Sequence, residues 1–292
     1  MSTRFELPGF SGMLVHPEDA GYDETRAVFN GMIDRKPAVI AQCTSADDVV
    51  AAVNYARENA LPLSVYGGML AFPAERGAEI LRAYREFVAD APDEVGSGLA
   101  FVCAPPEDFV PPEVQGQPIV GVVCCYAGPV EDGENAYKPM RDLGPALDLV
   151  GPMPYVALQS LLDGGAIKGM QNYWTADFYG ELPDEAVDTL AGIATKPISP
   201  LTQIIVVPGG GAVARVRDDD TAFGERTAKF NIHYLSMWAD PAETPANIAY
   251  TKDLNNAMKP WSTGGVYLNF IGDEGQARVE SGFSAAKWQK LR

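Results

Sequence analysis

The sequence predicts an α+β fold in which a small βαβ unit packs on a mostly antiparallel sheet with helices on one face. Residues 1–66 show a strand, a helix and a second strand in that order, the pattern of a βαβ unit. Beyond them, strand patterns follow one another with helices inserted singly or in pairs, which favours an α+β layer over regular alternation. We therefore predict two domains, 1–66 and 67–292.

The first domain begins its βαβ pattern with a short β-rich run at 37–43. Ser45-Ala46-Asp47-Asp48 follows and predicts a capping box with Ser45 as N-cap and Asp48 at N3. A second strand is predicted over 61–65. Two parallel strands need cover on both faces, so we expect this unit to pack against the rest of the chain. The helix between the strands places four apolar residues on one stripe: Val49, Val50, Val53 and Ala56.

The second domain opens with a helix predicted over 74–92. Its apolar positions recur at helical spacing and are Ile80, Leu81, Tyr84, Phe87 and Val88. Strands are predicted at 99–104, 118–127, 202–208, 231–239 and 265–271. Helices are predicted near 133–143, 155–163, 183–195 and 244–258.

Two glycine-rich segments are candidates for cofactor binding. A dinucleotide pyrophosphate is held by backbone N–H groups, usually at a helix N-terminus opened by closely spaced glycines. Gly67 and Gly68 follow a strand pattern, but the strand-like residues 69–72 come directly after them. The pair is therefore better interpreted as a turn between two strands. Gly209–Gly211 precedes the β-prone residues 212–216 and is interpreted as a structural bulge.

Composition limits the classes of partner. The chain has 22 Lys and Arg against 39 Asp and Glu, a net charge of −17, which disfavours nucleic acid and anionic membranes. We see no secretory signal, and the best apolar run, 118–128, is too short to span a bilayer, so a cytoplasmic location is expected. The four cysteines form no disulfide framework or metal motif, and the adjacent Cys124 and Cys125 are predicted to be structural.

Six segments taken in chain order resemble one family. They are DRKPAVIAQCTSADDVVAAVNYARENALPLSVYGG, MLAFPAERGAEILRAYREF, NYWTADFYGELPDEAVDTL, PGGGAVARVRDDDTAFGER, FNIHYLSMWADPAE and PWSTGGVYLNFIGDEG. Together they resemble the bacterial branch of the berberine bridge enzyme-like FAD-linked oxidases, in the vanillyl-alcohol oxidase superfamily. The resemblance implies a two-lobed flavin domain beside a substrate domain, and oxidation of a small organic substrate by hydride transfer to FAD.

The chain departs from the family where the flavin would be bound. After Val65 the family has an Arg-Gly-Gly-Gly-His type loop with a flavin-linking histidine, whereas this chain has Tyr66-Gly67-Gly68-Met69. The second flavin lobe and the C-terminal tail of the family are also missing from the pattern. We therefore interpret 1–66 as a remnant of the FAD-binding domain and expect FAD binding to be weak or absent. The alternative is a flavin-free binding protein or a cofactor-independent enzyme that uses the substrate domain.

The resemblance implies that the predicted strand 265–271 passes beside the reactive edge of the flavin. Tyr267 and Asn269 share one face of it and are the candidate catalytic residues, while Phe270 occupies the place of a family tyrosine that acts as a base. For each, an ordinary strand residue is the alternative.

The candidate substrate-binding residues come from two further segments. Aromatic-rich stretches often line pockets, and the residues chosen are Tyr173, Trp174, Asp177 and His233. Packing in the core is the alternative for each. The expected partner is a small organic molecule, and a homo-oligomer is expected from apolar surface that a missing lobe would uncover.

Overall fold

The computed structural model describes residues 6–26, 39–58, 64–107, 110–217 and 220–291. The chain divides into two compact units, Met1–Leu63 and Ser64–Arg292. In the described part of the chain, no helix is long and apolar enough to cross a membrane.

The first unit contains two short strands and two helices. Their bounds are β1 Met13–Val15, α1 Tyr22–Arg26, β2 Ile40–Gln42 and α2 Ala46–Glu58. β2 pairs with β1 and the pair is antiparallel, whereas the prediction gave β2 a parallel partner at 61–65. Residues 61–63 of that predicted strand lie outside the described residues, and Ser64 and Val65 belong to the sheet of the second unit.

The predicted capping box at the start of α2 is confirmed. The backbone N–H of Asp48 donates to Ser45 Oγ at 3.1 Å, and the backbone N–H of Ser45 donates to Asp48 Oδ2 at 3.1 Å. Ser11 and Thr44 donate further hydrogen bonds to the same carboxylate, which hold the pKa of Asp48 well below its usual range. The predicted apolar stripe is not buried: Val49, Val50 and Val53 are exposed.

The second unit is built on an eight-stranded antiparallel sheet, which confirms the predicted α+β fold class. Its strands are β3 Ser64–Pro73, β4 Val95–Cys103, β5 Pro118–Tyr126, β6 Leu147–Asp148, β7 Gly151–Pro154, β8 Gln171–Tyr179, β9 Gln203–Pro208 and β10 Phe230–Trp238. The strand order is β6-β3-β5-β4-β9-β10-β8, and β7 pairs with β3 next to β6. β8, an edge strand that the sequence analysis did not assign, extends the sheet beyond β10.

Three long helices cover one face of this sheet. The helices of the unit are α3 Gly77–Ala89, α4 Gly133–Ala136, α5 Lys138–Arg141, α6 Tyr155–Gln159, α7 Asp184–Ala194, α8 Gly211–Arg215, α9 Thr244–Met258, α10 Gln276–Glu280 and α11 Ala285–Leu291. α3 contacts α7, α7 contacts α9, and α9 contacts β8 and β10. Ile80, Leu81 and Tyr84 of the predicted α3 stripe are fully buried in the core beneath them.

Gly67 and Gly68 do not form a turn, and that prediction is wrong. Both lie inside the continuous strand β3, which pairs with β5 from Tyr66 onward. On its other edge β3 exchanges β7 for β6, and Gly68 stands at this exchange with φ +133°. A Cβ on Gly68 would lie 2.2 Å from the carbonyl oxygen of Leu149. Glycine is therefore needed because another backbone passes so close.

The predicted strand 265–271 is also wrong. Thr263 N donates to Phe178 O at 2.9 Å and Phe178 N donates to Gly265 O at 3.3 Å, so the chain touches β8 only briefly. Gly264 has φ +85°, and a single turn of 3₁₀ helix follows at Leu268–Phe270. Alternating apolar residues suit this half-buried turn as well as they suit a strand.

Candidate functional site

A cavity of about 510 Å³ lies at the β4, β9, β10 and β8 part of the sheet. On β10, Ser236 faces α9, since its hydroxyl accepts from Thr251 at 2.7 Å. Strand alternation then turns Asn231 and His233 to the opposite face, which we call the cavity face. Asn231 pairs in register with Phe178 of β8, and both line the cavity.

The segment 209–211 forms another wall of the cavity. Gly210 has φ +102° and Gly211 has φ +50°, so the chain turns sharply from β9 into α8. The prediction that β-prone residues continue after these glycines is wrong, because Gly211–Arg215 is helical. The five-residue helix is too short to provide the macrodipole of a phosphate site.

Aromatic rings make a continuous series along the cavity. Phe178 lies edge-on to Phe223 with centroids 6.2 Å apart, and Phe223 lies 5.5 Å from the ring of Tyr267. Tyr267 lies 5.0 Å from Phe270, which stacks on His233 at 4.5 Å. Phe178, Phe223, Tyr267 and Phe270 line the cavity directly. Such walls suit a flat apolar ligand.

The polar groups of the cavity are fewer. Asn231 is 6% exposed and its Oδ1 has no hydrogen-bond partner in the described structure. The Glu225 side chain also lines the cavity, and Glu225 has φ +55°, a left-handed conformation that costs a non-glycine residue about 1–3 kcal/mol. Arg226 lies over the Phe223 ring at 5.1 Å. Neither Glu225 nor Arg226 was among the candidate residues of the sequence analysis.

His233 is a neutral ring at neutral pH. Burial lowers its pKa from 6.5 to about 4, and the Phe270 ring covers it in a nearly parallel stack, 6° between planes. Its cross-strand neighbours, Ala176 and Ile205, are apolar. His233 therefore packs against Phe270, a ring of the cavity wall, and contributes no charge.

Tyr267 and Asn269 are brought together, although on a turn and not on a strand. Asn269 Nδ2 donates to the Tyr267 hydroxyl at 2.7 Å. Tyr267 lines the cavity, whereas Asn269 is exposed and is not a lining residue. The pair fits an orienting role for Asn269 on the Tyr267 hydroxyl, and the catalytic role of both remains a prediction.

Asp177 lies on the opposite, helix-covered face of the sheet. Its fully buried carboxylate accepts from Asn255 Nδ2 at 2.6 Å, from Lys259 Nζ at 2.7 and 3.0 Å, and from Arg278 Nη2 at 2.7 Å. Tyr173 lies on the same face, with Lys252 5.6 Å from its ring centroid. The predicted substrate-binding set is therefore divided between two faces of the sheet. These contacts join β8 to α9, to Lys259 directly after α9, and to α10, which gives Asp177 a structural role.

Trp174 shares the cavity face with His233 by strand alternation. It is half-buried and pairs in register with Leu235, but it does not line the cavity. Of the six residues predicted as catalytic or substrate-binding, only Tyr267 lines the cavity. Asn231 belongs to the register pair next to that of Asp177 and Ile232. Sequence reasoning missed it because an asparagine in a strand gives no distinctive pattern.

The glycines predicted to bind a cofactor do not fit the FAD pyrophosphate. Gly67 and Gly68 are paired with Cys125 and Cys124 of β5, so their backbone groups belong to the sheet and face no open space. A Cβ on Gly67 would already lie 2.7 Å from the Cys124 carbonyl oxygen. This packing does not favour the predicted cofactor-binding role of these two residues.

A second cavity of about 440 Å³ lies beside β3 and β5. Its walls come largely from apolar residues of β3, β5 and the segment 104–118. Residues 108 and 109 of that segment lie outside the described residues.

The fold is shared with solved structures. Its antiparallel sheet with helices on one face is shared with the wild-type berberine bridge enzyme-like protein 1 of Physcomitrella patens, with a TM-score of 0.63 and 11% identity over 78% of this chain and 50% of that chain. The chain therefore has a substantial part of the berberine bridge enzyme-like fold, and the resemblance noted from the sequence is confirmed.

Curated relatives make the relationship more particular. The chain is 24% identical over 205 residues to an FAD-linked oxidoreductase of Dictyostelium discoideum, covering 68% of this chain and 42% of that protein. It is 34% identical over 166 residues to an uncharacterised FAD-linked oxidoreductase of Bacillus subtilis, covering 56% of this chain and 36% of that protein. The chain thus spans less than half the length of these relatives. No family model matches it.

Proposed function

We propose that this chain provides the substrate-binding part of an FAD-linked oxidoreductase of the berberine bridge enzyme-like type, which oxidises a small organic molecule. The observation that carries the proposal is the aromatic cavity at the sheet, in a fold that is shared with such enzymes. The sequence similarity to curated FAD-linked oxidoreductases supports the same class. FAD is proposed as the cofactor, and it would be held by residues other than Gly67 and Gly68, because those two are held within a sheet.

The residues of this chain would bind and orient the substrate. Phe223, Tyr267 and Phe270 supply flat apolar surface, and burial of such surface favours an aromatic or similarly apolar ligand. The Tyr267 hydroxyl, held by Asn269 at 2.7 Å, has its own proton free to donate to a ligand acceptor.

The test is substrate-dependent reduction of added FAD. Under anaerobic conditions, the purified chain is mixed with FAD and with each member of a panel of small aromatic alcohols. The loss of the oxidised flavin absorbance is then followed. The expected result is bleaching that needs both chain and substrate and that falls at least ten-fold in Tyr267→Phe. No bleaching with any member of the panel, while the ligands still bind, would contradict oxidoreductase function for this chain.

A second candidate is a flavin-free binding protein. It is favoured by one observation: the cavity is formed within the second unit from residues of that unit alone. Under this function the ligands bind with equal affinity whether FAD is present or absent, and no oxidised product forms. Calorimetric titration with and without FAD separates the two candidates.

A further inference from the structure

The amide of Asn231 has one half satisfied and one half free. Its Nδ2 donates to the backbone carbonyl of Asp177 at 3.3 Å, so the amide orientation is fixed by that carbonyl, which can only accept. Oδ1 is then left buried without a partner in the described structure, on a residue that lines the cavity. A buried acceptor without a donor is costly, so a ligand that supplies a donor would gain from this atom.

The Glu225 carboxylate is a second acceptor on the same cavity. Among the described residues it has no hydrogen bond or ion pair. Its side chain lies directly over Gly265: a Cβ there would be 2.5 Å from Glu225 Cγ and 2.6 Å from Oε1. The Glu225 side chain can therefore occupy this position only because Gly265 has no side chain. Its left-handed backbone is a conformation that proteins retain chiefly where a side chain must be held in one place.

Charges around the cavity balance. Asp93 and Glu225 are its acidic lining residues and Arg226 is its basic one, while Arg215 forms an ion pair with Asp93. Two carboxylates are thus matched by two guanidinium groups. A neutral ligand leaves this balance intact. A charged ligand would lose its hydration on entering the cavity and would find no unmatched opposite charge to compensate for that loss.

We propose that Asn231 Oδ1 and the Glu225 carboxylate form an acceptor pair that shares, in a bifurcated hydrogen bond, the single hydroxyl proton of a neutral aromatic ligand held between the rings of the cavity. The inference rests on the proposed function, because it concerns the same cavity. The inference adds that the substrate is selected by its hydroxyl group, and that Asn231 and Glu225 are the residues that bind this group. The cavity, at about 510 Å³, is of the size that holds small organic ligands.

The first experiment compares 2-naphthol with naphthalene by calorimetric titration of the full chain, without flavin. The two probes have the same ring system and differ by one hydroxyl. The expected result is about ten-fold tighter binding of 2-naphthol, which corresponds to about 1.4 kcal/mol. Asn231→Leu should abolish most of this preference and leave naphthalene binding unchanged or stronger.

Asn247→Leu is the matched control. Asn247 is also buried, also donates Nδ2 to a backbone carbonyl, that of Glu243 at 3.1 Å, and also has an unpartnered Oδ1. It lies on α9 and does not line the cavity. It should retain the full preference for 2-naphthol. Equal loss of preference in both variants would overturn the assignment to Asn231.

Gly265→Ala tests Glu225 without removing any polar group. The new methyl group must displace the Glu225 side chain, so the preference for 2-naphthol should fall several-fold. In a Glu225→Ala background the same change should alter it less than two-fold, because no carboxylate is left to displace. An equal effect of Gly265→Ala in both backgrounds would overturn the role of Glu225.

The inference and the proposed function fail separately. Equal binding of both probes to the unaltered chain overturns the acceptor pair but leaves an apolar substrate cavity. The absence of flavin reduction contradicts the proposed function but does not affect a titration that contains no flavin. Failure of both probes to bind overturns the inference.

Discussion

Between pH 6.5 and about 4, His233 should destabilise the folded protein progressively. Burial lowers its pKa from 6.5 to about 4, so over this interval the unfolded state binds a proton that the folded state does not. Each pH unit then removes about 1.4 kcal/mol from the free energy of unfolding, and the whole interval removes about 3 kcal/mol. Above pH 6.5 the contribution is constant, and below pH 4 the loss is complete.

The assay is urea unfolding of the wild type and of His233→Gln at a series of pH values. The difference between their free energies of unfolding isolates the histidine, because acidic groups such as Asp48 are present in both proteins. Parallel pH profiles for the two proteins would refute the reasoning. The cause can be tested separately by NMR titration: Phe270→Ala uncovers the ring and should move its pKa back towards 6.5. Phe283→Ala, which removes a ring stacked on Trp288, should leave it unchanged.

Three further predictions concern stability. Gly68→Ala should cost about 3 kcal/mol or more in urea unfolding, because it adds a side chain at φ +133° against a backbone oxygen; a loss under 1 kcal/mol would contradict the packing described. Arg278→Met should cost about 3 kcal/mol by the same method, since it removes a partner from the buried Asp177, whereas Lys259→Met should cost about 1 kcal/mol because Lys259 is 41% exposed. Equal losses of stability in the two variants would contradict the argument that the burial of each partner determines the strength of its ion pair with Asp177. Ser45→Ala should destabilise α2 by about 1 kcal/mol, seen as faster amide exchange over Ala46–Glu58, and unchanged exchange would argue against the capping box.

Local chemistry made much of the fold predictable. The capping box at Ser45 and the helical stripe of α3 were predicted because each depends on residues within a few positions of one another. The strands β4, β5, β9 and β10 were predicted for the same reason. What failed depended on distant partners. The sequence of Gly67 and Gly68 is typical of a turn. In the structure the two residues are paired with β5, and Leu149 passes close to Gly68.

The candidate site was less predictable. Tyr267 was found through the family resemblance, and it lies on the cavity wall. Asp177 was chosen for its aromatic neighbours, yet strand alternation turns it to the other face, where Lys259 and Arg278 bind it. Glu225 was missed because its position depends on Gly265, forty residues further along the chain. No short pattern in the sequence contains both.

The most direct test of the account is a crystal structure of the chain with 2-naphthol. The account predicts the ligand against Phe223, Tyr267 and Phe270, with its hydroxyl within hydrogen-bond distance of Asn231 Oδ1. A ligand found instead in the cavity beside β3 and β5, or lying against the rings with its hydroxyl turned away from Asn231, would contradict it.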